Sequence, residues 1–260
     1  MRIAIGIEYD GTAYNGWQRQ RSGVGIQERV EQSLSAVADE AVEVTCAGRT
    51  DAGVHASGQV AHFDTTARRS FRGWLLGANS NLPDDINVTW VQRVSDDFNA
   101  RFSALSRSYR YLILNRLVRS SLYRHRAWWL YQPLDAERMH EAAQALLGEH
   151  DFSAFRAAGC QASGPVREIS AISVCRQQDW VVLEVTANAF LQHMVRNIAG
   201  TLAAIGAGEQ AADWAAAVLQ GRDRKRAGIA APPHGLTLVE VRYPAEFELP
   251  GNPNLDKMPQ

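Results

Sequence analysis

The chain has 260 residues, 46% of them hydrophobic and 21% charged, with a formal net charge of -1. That length suits two domains better than one, and the apolar content excludes disorder as a description of the whole. No run of about 18 apolar residues is present, so no membrane span is expected.

The opening MRIAIGIEYDGT alternates like a strand and lacks the apolar segment of a signal peptide. Periodicity then predicts a turn-rich loop and a helix over 26–39, with Ile26, Val30, Leu34 and Val37 on one face. Strands follow at 42–48 and 59–64, a helix at 68–82 and a strand at 86–94. The second half reads as a strand at 108–115, a helix at 134–147 and strands at 168–176 and 180–189. A helical stretch at 190–206, a shorter helix at 211–220 and a strand at 236–243 complete it. Each half is thus expected to run βαββαβ, the split βαβ or ferredoxin-like arrangement. The fold class is α+β. The two sheets are expected to join into one mostly antiparallel sheet, with helices on one side and a cleft between the halves. The expected divisions are 1–104, 105–245 and a flexible tail at 246–260, which is rich in proline.

Charge is segregated. Residues 101–126 carry seven arginines and no acid, and a polyanion responds to that local field rather than to the net charge. The chain has only two lysines. Arginine grips phosphate bidentately and stacks on bases. The cysteines, Cys46, Cys160 and Cys175, are odd in number and widely spaced. That suits reduced thiols in the cytoplasm better than a disulfide framework.

Metal chemistry has no support, since CxxC and HExxH are absent and His55 and His62 are seven apart. No phosphate loop is present either. The segment IEYDGT is reminiscent of the acidic turn of haloacid dehalogenase-type phosphatases, but Glu8 would stand at the nucleophile position. GRTDAGVHA, at 48–56, joins two predicted strands. Its Asp51 fits a turn as well as it fits a reaction, because Asp and Gly form turns for backbone reasons alone.

Six ordered motifs resolve that balance by resemblance. YDGTAYNGWQRQ (9–20), GRTDAGVHA, FNARFSA (98–104), RSYRY (107–111), NAFLQHMVRNIAGTL (188–202) and APPHGLTLVEV (231–241) together resemble the tRNA pseudouridine synthase A family over nearly the whole chain. The resemblance implies an isomerase that converts uridine to pseudouridine at positions 38 to 40 of the tRNA anticodon stem-loop. It further implies base flipping, no metal or cofactor, and a cytoplasmic homodimer. It places the catalytic aspartate on Asp51, the active-site tyrosine on Tyr109, and the arginine that pairs with the aspartate on Arg196. It puts the apolar residue under the target base on Leu236. Arg49 resembles the residue that fills the vacated stack. The remaining expected tRNA contacts are Arg69, Phe98, Asn99, Ala100, Arg101, Phe102, Arg107 and Arg110. Many family members carry His where this chain has Asn99. Attack at C1′, attack at C6 and abstraction of the C2′ proton all stay open for Asp51.

Overall fold

The structure is a computed structural model that describes residues 1–20 and 22–251. It divides into two compact units, residues 1–107 with 238–260 and residues 108–237. Both are α+β, and among the described residues no helix is long and apolar enough to cross a membrane.

In the first unit the elements are β1 (Arg2–Tyr9), α1 (Ile26–Ala38), β2 (Thr45–Cys46), β3 (His55–Asp64), α2 (Phe71–Asn81) and β4 (Ile86–Val94). This is the expected βαββαβ order. The late strand β10 (Leu236–Arg242) joins it, and the order across the sheet is β4-β1-β3-β10, with β2 paired to β3. The alternation in β1 explains the layering. Ile3, Ile5, Ile7 and Tyr9 point one way and are buried. Ile3 lies opposite Phe63, whose ring meets Trp74 of α2 edge-on at 5.1 Å, so this face carries the helices. Each such aliphatic side chain contributes about 1.5–3 kcal/mol on full burial. Ala4 points to the other face, opposite His62. There the sheet is covered by Phe98, Ala100 and the partly buried Val241, Tyr243, Phe247 and Leu249.

That cover revises one expectation. Against the expected flexibility from 246 on, Phe247 packs 5.1 Å from Phe98, and Gln92 donates to the carbonyls of Phe247 and Glu248. Two apolar side chains among the prolines dock the segment. The remainder, 252–260, lies outside the described residues.

The second unit contains β5 (Ser106–Asn115) from Ser108 onward, β6 (Trp128–Leu130), α3 (Ala136–Ala143), β7 (Gly148–Asp151), β8 (Val166–Gln177), β9 (Trp180–Ala187), α4 (Met194–Gly206) and α5 (Trp214–Gly221). Its strand order is β5-β9-β8-β7, with β6 parallel beside β5. The strands β6 and β7 were not expected, being three and four residues long with no clear alternation. The strand read as closing this half is β10, which from Leu238 onward belongs to the first unit. The helix read from 190 starts only at Met194, because His193 takes a left-handed conformation, φ 62°, that a helix cannot include.

Candidate active site

The Asp51 loop is fixed by backbone. Trp17 N–H donates to the Thr50 carbonyl at 3.0 Å, Gly53 N–H to the Tyr14 carbonyl at 3.3 Å, and Val54 N–H to the Asp51 carbonyl at 3.1 Å. Gly53 has φ 76°, the left-handed conformation that closes this turn. Gly16 has φ 91°, and a Cβ there would lie 2.5 Å from the Thr50 carbonyl oxygen. The YDGTAYNGW motif is therefore the floor on which the Asp51 loop rests. Tyr9 adds a side-chain tie, its hydroxyl 2.8 Å from Thr50 Oγ1. Gln59 Nε2 donates to the Gly48 carbonyl at 2.7 Å. Asp51 itself is half-buried at the rim.

Asp10 has a local task. Its carboxylate accepts from Thr12 N–H at 3.0 Å and lies 3.1 Å from His55 Nδ1. It caps a short turn, which accounts for the DGT sequence without phosphatase chemistry. Among the described residues no group of three or more His, Cys, Asp or Glu could hold a metal ion.

Two exposed arginines, Arg49 and Arg101, act electrostatically on Cys46 at the end of β2. Burial pushes the Cys46 thiol up to about 12, and Arg49 and Arg101 are the charges that pull it back. Both charges therefore act on Cys46, five residues before Asp51. Arg101 also stands 5.3 Å from the ring centroid of Phe102, which is 78% exposed. An exposed cation beside an exposed ring suits a nucleic-acid surface. Asn99 serves the same segment, its Oδ1 accepting from the N–H groups of Arg101 and Phe102. Arg69 is exposed on the loop before α2, donating to the Val37 carbonyl at 3.1 Å.

Three residues expected at the RNA surface are elsewhere. Phe98 and Ala100 are fully buried. Arg107 is buried too, and its guanidinium donates to the carbonyls of Ala47, Ala104 and Arg101. Moving it onto a phosphate would leave those carbonyls unpaired, at about 1–3 kcal/mol each when buried. A fourth, Arg110, is largely covered and paired with Glu184 at 2.7 Å. A run of arginine in sequence does not distinguish these from Arg101, because strand alternation sends neighbours to opposite sides.

His62 supports the segment from beneath. Its Nδ1 accepts from Ala100 N–H at 3.1 Å, and its ring meets Phe98 edge-on. Burial, and then the charge of Arg2, hold its pKa below the usual histidine value. The fold thus favours the neutral ring. Its contribution is complete above about pH 6.5, the ordinary histidine value, and is lost as pH falls through the depressed folded one. The urea midpoint is expected to fall between pH 7.5 and 5.5, and the fall to shrink in His62→Gln, which has no proton to gain. The depressed carboxyls of Asp64 and Glu40 act in a separate, more acidic window, their stabilisation being lost only below the ordinary carboxylate range.

In the second unit Tyr109 is buried on β5 with its ring edge-on to Phe190 at 5.0 Å. Two residues along the same face, Tyr111 donates its hydroxyl to the Pro232 carbonyl at 2.8 Å. Arg196, in the first turn of α4, donates through Nε to the Ala231 carbonyl at 2.7 Å and accepts from Ala231 N–H at 3.0 Å. Burial raises the Tyr111 hydroxyl well above its usual range, and the Arg196 charge opposes that. The 231–235 segment then leads into Leu236, buried at the start of β10. Arg196, Tyr111 and Leu236 are thus assembled around one loop. A tyrosine in an apolar strand reads as core, and the alternation Arg107, Tyr109, Tyr111 is the sequence signal that sets Tyr111 on the Tyr109 face.

Residues 5–103 and 142–244 match the family model described as tRNA pseudouridine synthase. The chain belongs to that family. It is similar to the tRNA pseudouridine synthase A of Coxiella burnetii (strain Dugway 5J108-111), 58% identical over 252 residues and 97% of each chain. It is 54% identical to that of Pseudoalteromonas atlantica over 96% of this chain and 95% of the relative. It is 53% identical to that of Methylococcus capsulatus over 100% of this chain and 96% of the relative. The stretches matched to the tRNA pseudouridine synthase family include the Asp51 loop, its Gly16 floor, the 98–103 segment and the Arg196 helix.

Proposed function

We propose that this chain isomerises uridine to pseudouridine in tRNA, at positions 38 to 40 of the anticodon stem-loop, with Asp51 as the catalytic carboxylate. The observation that carries the reading is Asp51 at the rim of a glycine-shaped, backbone-anchored loop in a chain of this family. The exposed Arg49 and Arg101 supply charge for phosphate. The target base is stacked, and flipping it out costs a few kcal/mol. Stacking on an aromatic ring returns about 1–3 kcal/mol, a role assigned to Tyr109, with Leu236 beneath the base. Arg196 pairs with Asp51 in this reading, and Arg49 fills the vacated stack. The N1–C1′ bond breaks, a C5–C1′ bond forms, the C5 proton leaves and N1 gains one. No cofactor enters. The enzyme works as a cytoplasmic homodimer on tRNA.

The test is isotopic. Uridine tritiated at C5 in an unmodified tRNA transcript releases label to water, from the anticodon arm alone, and the same transcript without label shows no change in nucleotide mass. Cytidine at positions 38 to 40 abolishes release. Free uracil with its label retained would instead indicate glycosidase chemistry and overturn the reading.

Salt dependence tests the revised RNA surface. Log K against log[salt] is expected to become shallower by about one unit in Arg101→Ala, because one phosphate contact is lost. Arg110→Ala, in contrast, removes a cation already held by Glu184 and leaves the slope unchanged. A wild-type slope in Arg101→Ala, measured by filter binding, would remove Arg101 from the interface.

A further inference from the structure

Arg107 is one guanidinium shared between two functional segments. Its Nε and Nη2 both donate to the Ala47 carbonyl, at 3.3 and 2.9 Å. Nη2 also donates to the Arg101 carbonyl at 2.6 Å, and Nη1 to the Ala104 carbonyl at 3.2 Å. Ala47 is the first residue beyond β2 and stands four residues before Asp51, where the chain leaves the sheet. Arg101 and Ala104 belong to the segment that carries the exposed Phe102. The group is buried, and each of these bonds ends on a main-chain oxygen rather than a carboxylate. The planar fork fixes angles as well as distances, which an ammonium on a flexible stem does not.

We infer that Arg107 is a positioning residue for the Asp51 loop: its fork sets the direction in which the chain departs from β2, and ties that direction to the RNA-facing 101–104 segment. The inference rests on Asp51 being the catalytic carboxylate. It assigns Arg107 a part in the rate of the chemical step and none in the grip on tRNA.

The segment has a second tie that serves as a control. Tyr243 donates its hydroxyl to the Ala100 carbonyl at 2.6 Å. Removing that hydroxyl loosens the same segment and leaves the Arg107 fork in place.

The experiment compares Arg107→Lys, Arg107→Gln and Tyr243→Phe in the full-length protein. Single-turnover rates are measured at saturating enzyme on tritiated tRNA, tRNA Kd and its salt slope by filter binding, and thermal midpoints by circular dichroism. Misplacement of a reacting group by 1 Å costs roughly 100-fold, so both Arg107 variants are expected to be slower by about 10- to 100-fold. Their Kd and salt slope stay at the wild-type values. Tyr243→Phe is expected to lower the thermal midpoint and keep the wild-type rate. Amide hydrogen exchange in Arg107→Lys is expected to accelerate at 48–53 while the β1–β4 ladder keeps its protection.

A fall in thermal midpoint with an unchanged rate would overturn the inference and make Arg107 a support of the fold alone. So would an equal slowing in Tyr243→Phe, or failure of both Arg107 variants to fold. A weakened Kd with a shallower salt slope would overturn it in the other direction, returning Arg107 to the RNA surface. Failure of the catalytic reading is separable: wild-type protein would then release no C5 label, whatever Arg107 does.

Discussion

Asp51→Asn is expected to lose more than about 10⁴-fold in single-turnover rate, the scale seen when a reacting side chain is removed, while tRNA affinity and thermal midpoint stay close to wild type. The change preserves size and turn preference. The backbone bonds that define the loop, from Trp17 to Thr50 and from Val54 to Asp51, do not involve the carboxylate. The variant therefore removes the charge and leaves those backbone bonds in place. Nucleophilic attack and proton abstraction both need the ionised form, so each open route for Asp51 predicts the same loss. Tritium release and filter binding on one preparation supply both numbers. A variant with near-wild-type release would show that the loop presents some other group to the base.

The sequence carried the first unit well, because its elements are long and strictly periodic. In β1, isoleucines at every second position announce a strand with one face in the core. In α2, Ser70 announces a cap by accepting from Gly73 N–H at 3.0 Å. What was less legible is what depends on pairing across the chain. The strand expected at 42–48 shortens to the two-residue β2, where Thr45 and Cys46 pair with His62 and Ala61. The loop side chains divide in the same way. Asp51 and Arg49 are identifiable from their motif. The separation of Arg101 from Arg107 depends on which side of the chain faces carbonyl oxygens, and that is a tertiary fact. The docking of Phe247 was hidden by the prolines around it.

The support under Asp51 makes the second large prediction. Gly16→Ala asks two things of the structure. The backbone there has φ 91°, which side chains resist, and the new Cβ would meet the Thr50 carbonyl oxygen at 2.5 Å. Strain of that kind costs roughly 1–3 kcal/mol. The contact must also open, and the atom that has to move belongs to the residue before Asp51. Gly208→Ala separates the two effects. Gly208 has φ 77° but nothing lies within 4 Å of its would-be Cβ. It takes on the strain without the collision, and it lies in the second unit. Both variants are expected to lower the urea midpoint. Gly16→Ala alone is expected to slow single turnover, by roughly 10- to 100-fold for a displacement approaching 1 Å, with tRNA affinity retained because the exposed Arg101 and Phe102 are untouched. Equal rates in the two variants, each measured where it is fully folded, would show that the Asp51 loop keeps its place without the glycine floor.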